Sequence, residues 1–324
     1  MGLITVIIIT QGRLKLLMKC LESLRQFPSE TQLILLSNGE KLGDEARSLV
    51  SGMFAHSEIL ETQEVLNAGM ARNLAIKSVR AETDWVFFID DDAYLPEQYW
   101  TTAMKYLWQK EIDVLGGADI TPKGMSYFSR SVAISLMSPF CTGLTFSRHY
   151  PLGKKIQYAS EENLTSAQLW VRKKFLDLVS FPENFKRGEE SYFLQELSEK
   201  GAGMFYHPHL RLYHYRRDSL MKILKVNFQG GRFRSLMMRK KSGFSGSYYL
   251  PSVFVLLHFI AFYDLTHFMD LAKLYILIVA CISLGLSQRQ KDFFCFPLVI
   301  ILHYIIVISY GLGFIKGRLE KVPQ

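Results

Sequence analysis

Three consecutive carboxylates, Asp90-Asp91-Asp92, follow the hydrophobic run Trp85–Ile89. In open α/β sheets, ligands bind beyond the carboxyl ends of the strands. Three adjacent charges there repel one another unless a cation or hydrogen-bond donors offset them. A hard divalent ion, held by one or two carboxylates and by substrate phosphates, is the natural partner. Acids also begin helices, and Asp92 stands shortly before Pro96-Glu97, so a helix start is the competing reading. Upstream, Leu66–Ala75 opens a helix whose small residues allow close backbone approach, and Arg72 supplies a fork for a phosphate or carbonyl. Downstream, Phe185–Ser191 precedes a helix with Phe193, Leu194 and Leu197 in phase. A carboxylate at its entrance, Glu189 or Glu190, is either a general base or a helix-start acid. The stretch Tyr206–His214 ends in an imidazole that can complete a metal shell or serve the core.

Alternating strand-like and helix-like segments position these residues. Ile4–Ile9 and Trp85–Ile89 are continuous apolar runs of the kind buried on both faces of a parallel sheet, and Leu33–Leu36 is a shorter one. Ile59–Leu60 is a weaker strand, and Ile112–Leu115 another. Leucines at helical spacing from Leu14 to Leu24, then Ala68–Val79 and Glu97–Lys110, supply the helices. This rhythm predicts a doubly wound α/β domain over residues 1–215 with a mixed, mostly parallel sheet.

The 324-residue chain carries a net charge of +8, and half of its residues are apolar (49%). That composition excludes global disorder. It also excludes a uniformly basic nucleic-acid binder, because Arg216–Lys241 alone holds nine basic residues against one acid and accounts for the whole excess. A basic segment with Leu220, Ile223 and Leu224 on one face, interrupted at Gly230-Gly231 and resumed at Phe233, reads as an interfacial stretch over residues 216–249 lying on anionic lipid. Residues 250–324 then read as two or three membrane helices. Phe293–Ile315 lacks Asp, Glu, Lys and Arg and is long enough to cross a bilayer, whereas Leu250–Tyr263 and Leu274–Ser287 are short for a span. Met1 leads straight into the first strand without a basic leader or a cleavage site, so the N-terminal region is expected in the cytosol. Cys20, Cys141, Cys281 and Cys295 form no CxxC pair, which favours small core or membrane residues in a reducing compartment.

Taken in order, these motifs resemble the family 2 nucleotide-sugar glycosyltransferases of the GT-A fold, over residues 3 to about 235. Val6–Arg13 is similar to the family's first strand and its Thr-x-Asn-Arg turn, with Gly12 in place of Asn. Asn67–Ala75 resembles its NxGxxxARNxA helix, and Asp90–Asp92 its Asp-x-Asp. Asn163–Val179 resembles the segment before the acceptor loop. Gly188-Glu189-Glu190 stands at its Gly-Glu-Asp, and His214 at the His that closes the domain. The resemblance implies Mg²⁺ or Mn²⁺ held by Asp92 with Asp90 and His214, Asp90 also touching the nucleotide, and Asp91 in support. Thr10, Arg13, Ser37, Asn38, Asn67, Arg72 and Asn73 would seat the donor. Glu190, with Glu189 as competitor, would take the acceptor proton.

Ser37 stands where the family usually has a base-contacting Asp. Gln229–Phe233 has the spacing of the QxxRW motif of processive synthases with Phe for Trp, and Arg232 suits a diphosphate acceptor. The middle segment, Ser126–Gly143, and the basic turn before C-terminal helices most resemble bacterial exopolysaccharide glycosyltransferases. The implied reaction is inverting transfer from a nucleotide sugar to a lipid-linked polyprenyl-diphosphate glycan, at the cytoplasmic face of the inner membrane and beside anionic lipid. The alternatives are transfer to polyprenyl phosphate itself, or a non-catalytic membrane scaffold on a degenerate transferase fold.

Overall fold

The computed structural model describes residues 2–216, 218–261 and 265–322. Arg217, Tyr263 and Asp264, which entered the charge and span readings, lie outside the described residues. The chain divides into two compact units. One contains Met1–Ile120 and Tyr150–Tyr215, the other Thr121–His149 and Arg216–Gln324.

The first unit is built on β1 (Leu3–Thr10), β2 (Gln32–Asn38), β3 (His56–Thr62), β4 (Thr83–Asp90), β6 (Val114–Gly116), β8 (Gln157–Tyr158), β9 (Gln168–Arg172) and β10 (Met204–Tyr206), in the order β3-β2-β1-β4-β9-β6-β10-β8. β5 (Ala93–Tyr94), β7 (Asp119–Ile120) and β11 (Leu212–His214) form a second, small sheet in the order β5-β11-β7. Strands β3, β2, β1 and β4 are parallel, while β9 runs antiparallel to both β4 and β6, so the large sheet is mixed.

Alternation along the strands divides the core into two layers. Val6, Leu33, Leu35, Trp85 and Phe87 pack on one face with α1 (Leu14–Ser23), α2 (Asp44–Met53) and α4 (Tyr99–Leu107). Ile7, Ile34, Val86 and Phe88 pack on the other with α3 (Ala68–Ile76) and α8 (Glu189–Glu199). Trp170 of β9 stacks on Phe87 at 4.4 Å between ring centroids. The weak reading at Ile59–Leu60 is a full seven-residue strand, β3. It lies at the sheet edge with half-exposed residues, so it lacks the apolar run of a central strand.

The second unit comprises α5 (Tyr127–Leu136), the single turn α6 (Pro139–Thr142), α9 (Leu220–Lys240), α10 (Leu250–Ala261), α11 (Leu265–Arg289) and α12 (Phe296–Leu319). Another single turn, α7 (Lys173–Leu176), belongs to the first unit. The sequence places residues 121–149 with the catalytic region, and the structure corrects this. Val132 and Cys141 bury with Leu302 and Ile306, and Ile134 with Cys295 and Val299, so the insertion completes the C-terminal core. The expected helix break at Gly230-Gly231 is also corrected, because α9 continues through it. A Cβ on Gly231 would stand 2.0 Å from the Tyr310 carbonyl oxygen, so glycine here permits helix contact. On α12, Ser309, Gly313 and Gly317 repeat every fourth residue. Ser309 Oγ donates to the Leu224 carbonyl at 2.8 Å, and Cβ atoms on the two glycines would meet the carbonyls of Phe228 and Arg232 at 1.9 and 2.3 Å. The two helices therefore pack backbone to backbone along a row of small residues.

That packing engages much of the basic charge. Arg232 pairs with Glu320 at 2.6 Å, Arg234 is buried over the ring of Tyr248, and Arg239 donates to the carbonyl oxygens of Gly317, Arg318 and Glu320 at the end of α12. Among the described residues one helical stretch, Phe293–Leu319, is long and apolar enough to cross a membrane. Cys20, Cys141 and Cys295 are buried, Cys281 is exposed, and all four are free thiols.

Candidate active site

Parallel pairing of β1 with β4 sets Ile9 opposite Asp90, so the turn after β1 and the three carboxylates emerge at one sheet end. Gly12 makes that turn at φ +77°, a left-handed conformation that Asn and Gly tolerate best, which explains its exchange for the family's Asn. The turn aims Arg13 back at the carboxylates, where it pairs with both Asp91 and Asp92. Asp91 is fully buried and also accepts from Thr10 Oγ1 at 2.7 Å. It is thus spent on holding the β1 turn, while Asp90 and Asp92 gather with His214.

Asp90, Asp92 and His214 offer one ligand atom each, all within 4.8 Å of one another. His214 Nε2 lies 3.1 Å from Asp92 Oδ1, and its Nδ1 lies 3.1 Å from Asp119 Oδ2. Burial works against a charged imidazole, but the hydrogen bonds and charges of Asp119 and Asp92 together outweigh it and lift His214 to about 10. Asp92 is held down to about 2: burial opposes this, and the hydrogen bond and charge of His214 prevail. Burial pushes Asp90 up to about 6, with help from Asp92 and Glu190 and against Arg72. Two carboxylates and one imidazole whose Nε2 proton an ion displaces, with a third carboxylate orienting the ring from behind, are a donor set suited to Mn²⁺ or Mg²⁺.

Arg72 is buried and pairs with buried Glu189 at 2.8 Å, its second nitrogen lying 3.7 Å from Asp90. Its guanidinium also lies over the Phe181 ring, 5.2 Å from the centroid. This pair fastens α3 to the start of α8. The neighbouring Glu190 is part-exposed, and its Oε2 accepts from Ser166 Oγ at 2.8 Å.

The other sequence-named residues fall nearby with distinct partners. Asn67 caps α3 through Met70 N at 3.0 Å and donates to the Glu183 carbonyl. Asn73 both donates to the carbonyl of Phe181 and accepts from its N–H. The two asparagines therefore tie the 181–183 loop to α3. Asn38 bonds both polar backbone atoms of Leu66, and Ser37 Oγ donates to the Glu40 carbonyl. Arg232 belongs to the second unit and is engaged there by Glu320.

The family model described as "Glycosyl transferase family 2" matches residues 5–224, two thirds of the chain. The chain belongs to glycosyl transferase family 2. Solved structures share its fold. A mannosyltransferase from Pyrobaculum calidifontis, in complex with GDP-Man and Mn²⁺, aligns at a TM-score of 0.58 and 14% identity over 98% of this chain and 86% of that one. S. aureus TarS (residues 1–349) aligns at 0.52 and 14%, over 98% and 91%, and its complex with UDP-GlcNAc aligns at 0.50 with the same identity and coverage. No curated protein matches the chain.

Two residues of this family 2 site escape a reading of the sequence. Asp119 orients His214 from a two-residue strand, and Ser166 holds Glu190 from a loop. Neither stands in a periodic run or a charge cluster. Asp119 carries one weak signal, a lone acid after the apolar strand and Gly116-Gly117.

Proposed function

We propose that this family 2 glycosyltransferase is an inverting enzyme that transfers a sugar from a nucleotide-sugar donor to a lipid-linked, polyprenyl-diphosphate glycan in cell-surface polysaccharide synthesis. The observation that carries the reading is the grouping of Asp90, Asp92 and His214 with a separate, part-exposed carboxylate, Glu190, whose charge is felt at Asp90. The donors bound by its structural neighbours, GDP-Man and UDP-GlcNAc, support the substrate class. Asp90, Asp92 and His214 would hold Mg²⁺ or Mn²⁺. When bound, the ion supplies positive charge for the donor's diphosphate.

The protein's own groups divide the remaining work. Glu190, steadied by Ser166, accepts the proton of the acceptor hydroxyl. That oxygen forms a bond to C1 as the C1–O bond to the nucleoside diphosphate breaks, with inversion at C1. The Arg72–Glu189 pair keeps Glu190 at the start of α8, close to Asp90. Thr10 and Arg13 fix Asp91 and steady the turn in front of the donor. Exposed apolar residues of α10 to α12, among them Leu250, Val253, Ile276, Leu277 and Ile301, support attachment to a membrane, and the proposed reaction runs at its cytoplasmic face.

The test supplies purified full-length protein with labelled nucleotide sugars and either bare polyprenyl phosphate or a primed lipid-diphosphate sugar. Label on the primed lipid, abolished by Asp92→Ala, is the expected result. Label on the bare phosphate alone refutes the acceptor assignment, and turnover that survives Asp92→Ala refutes the ion site.

A further inference from the structure

The small sheet has two faces. Asp119 and His214 turn toward the active site. Their chain neighbours Ile120 and Tyr213 are paired in the same register and turn to the opposite side, as alternation requires. There they floor a cleft of about 980 Å³ that the transfer reaction does not use. Its walls are α4 with the turn before it, the segment Lys154–Ile156, and the link between β10 and β11, which carries His207, His209 and Arg211.

The lining has one dominant sign. Lys105, Lys154, Lys155 and Arg211 face the cleft, with Glu97 as the one acid in its lining. The three lysines are exposed, and among the described residues none lies within 4 Å of a carboxylate. Arg211 is held in place by donating to the Pro208 carbonyl at 2.9 Å, and its second nitrogen lies 3.5 Å from His209 Nδ1 at the cleft wall. Three unpaired cations gathered in one concavity repel one another, and an anionic ligand relieves that repulsion. The remaining surface is aromatic and neutral polar. Tyr106 and Tyr213 line the cleft beside Gln98 and Thr102. Tyr213 stacks on Tyr94 at 4.8 Å, and Lys19 lies 3.8 Å above the Tyr94 ring, so the cationic aromatic surface continues past the floor. Aromatic faces beside amide and hydroxyl groups suit a sugar ring, which presents an apolar C–H face and a polar rim.

We propose that this cleft binds an anionic saccharide, with sugar rings against Tyr106 and Tyr213 and carboxylate or phosphate groups on Lys105, Lys154, Lys155 and Arg211. The site is separate from the transfer centre and lies on the back of the strands that carry His214 and Asp119. It gives the enzyme a place to hold an acidic glycan without occupying the reacting groups.

The test uses full-length protein in detergent and the variant Lys154→Glu/Lys155→Glu, whose two positions are exposed and outside the catalytic machinery. Fluorescent hexagalacturonate, a phosphodiester-linked mannose oligomer, maltohexaose and a single-stranded RNA hexamer serve as probes in anisotropy titrations. The expected result is saturable binding of the uronate or the phosphodiester oligomer, weakened at least about tenfold in the double variant and by added salt. Whichever acidic oligomer binds identifies the oxyanion. Metal-dependent release of nucleoside diphosphate stays unchanged in the variant, so a failure of the transferase reading is told apart from a failure of this one. Equal binding of maltohexaose, equal binding of the RNA, or unaltered binding by the double variant overturns the proposal. A second variant, Lys105→Glu on the exposed face of α4, checks the result from another wall, and its retention of full binding overturns the proposal too.

Discussion

Glu189 and Glu190 are adjacent acids of the same length, and exchanging each for Gln separates a structural carboxylate from a reacting one. Glu189 is buried against Arg72 at 2.8 Å. Glu189→Gln leaves a buried guanidinium whose remaining counter-charge, Asp90, stands 3.7 Å away. Breaking one side of a buried ion pair costs about 3–5 kcal/mol, and the Asp90 contact places this case near the lower end, about 3 kcal/mol. At roughly 2–4 °C per kcal/mol for a unit of this size, the melting temperature falls by about 6–12 °C. Glu190 is part-exposed, and Gln at that position still accepts from Ser166. Glu190→Gln therefore changes stability by less than about 1 kcal/mol. It lowers turnover by about 10²–10⁴, the range for loss of a general base. Thermal unfolding of purified protein, together with nucleoside diphosphate release from a panel of nucleotide sugars, reads both quantities. The double variant Arg72→Met/Glu189→Leu recovers most of the lost stability, because apolar groups of similar volume replace the pair. If Glu189→Gln melts normally and abolishes turnover while Glu190→Gln keeps it, the two roles are reversed and the argument fails.

Three further outcomes follow from the geometry. Asp119→Asn leaves the three ligand atoms in place but removes the charge behind His214. Mn²⁺ affinity measured by calorimetry falls about 10–100-fold, and an unchanged affinity removes Asp119 from the site. Gly313→Ala forces α12 off the Phe228 carbonyl and destabilises the protein by about 1–3 kcal/mol, whereas Gly285→Ala in α11, with nothing within 4 Å, stabilises it by about 0.5–1 kcal/mol; equal melting shifts refute the close packing. His207 is buried and held down to about 4 by burial and the charges of His209 and Lys105, and its Nδ1 accepts from His209 N–H at 3.1 Å. The neutral ring is favoured by the fold, so its contribution is complete above the unfolded value near 6.5 and is lost as pH falls from there toward 4. The loss reaches about 3 kcal/mol. Denaturant titrations at pH 7 and pH 5 show a larger drop for the native protein than for His207→Gln, and parallel drops refute the assignment.

What the sequence reveals depends on whether a residue's partner lies in its own periodic segment. β1, β2 and β4 are legible because burial on both faces demands uninterrupted apolar runs. β3 is faint because an edge strand needs no such run, and α2 and β9 leave too few periodic positions to register. At the site, Asp90–Asp92 announces itself as a cluster, but partners from distant segments decide how each carboxylate is used. Asp90 and Asp92 gather with His214, and Asp91 is buried on Thr10 and on Arg13, which also reaches Asp92. Asn67 and Asn73 stand out as polar residues in a motif, yet each bonds the loop at 181–183, more than a hundred residues away. That distance is set by topology, which local spacing does not encode.

The same distinction governs the basic segment. Counting charge locates the whole +8 within Arg216–Lys241, and the count is correct. It does not show which cations are available to a partner. A lipid surface attracts a cation only while that cation remains solvated and unpaired, because an ion pair or a row of carbonyls already satisfies it. Arg232 is paired with Glu320, Arg234 is buried against Tyr248, and Arg239 closes the end of α12, so these three hold helices together. Lys225 stays exposed, and Lys222 pairs with Asp218 at 3.2 Å in a fully exposed setting that salt readily screens. Of these five cations, Lys222 and Lys225 are the ones exposed to a lipid surface without a helix-packing role. Neutralising Lys222 and Lys225 should weaken binding to anionic vesicles while leaving the melting temperature in place, whereas Arg232→Ala should lower the melting temperature first. Co-sedimentation with phosphatidylserine vesicles and thermal unfolding separate the two, and a loss of vesicle binding in Arg232→Ala without any loss of stability would return that guanidinium to the surface.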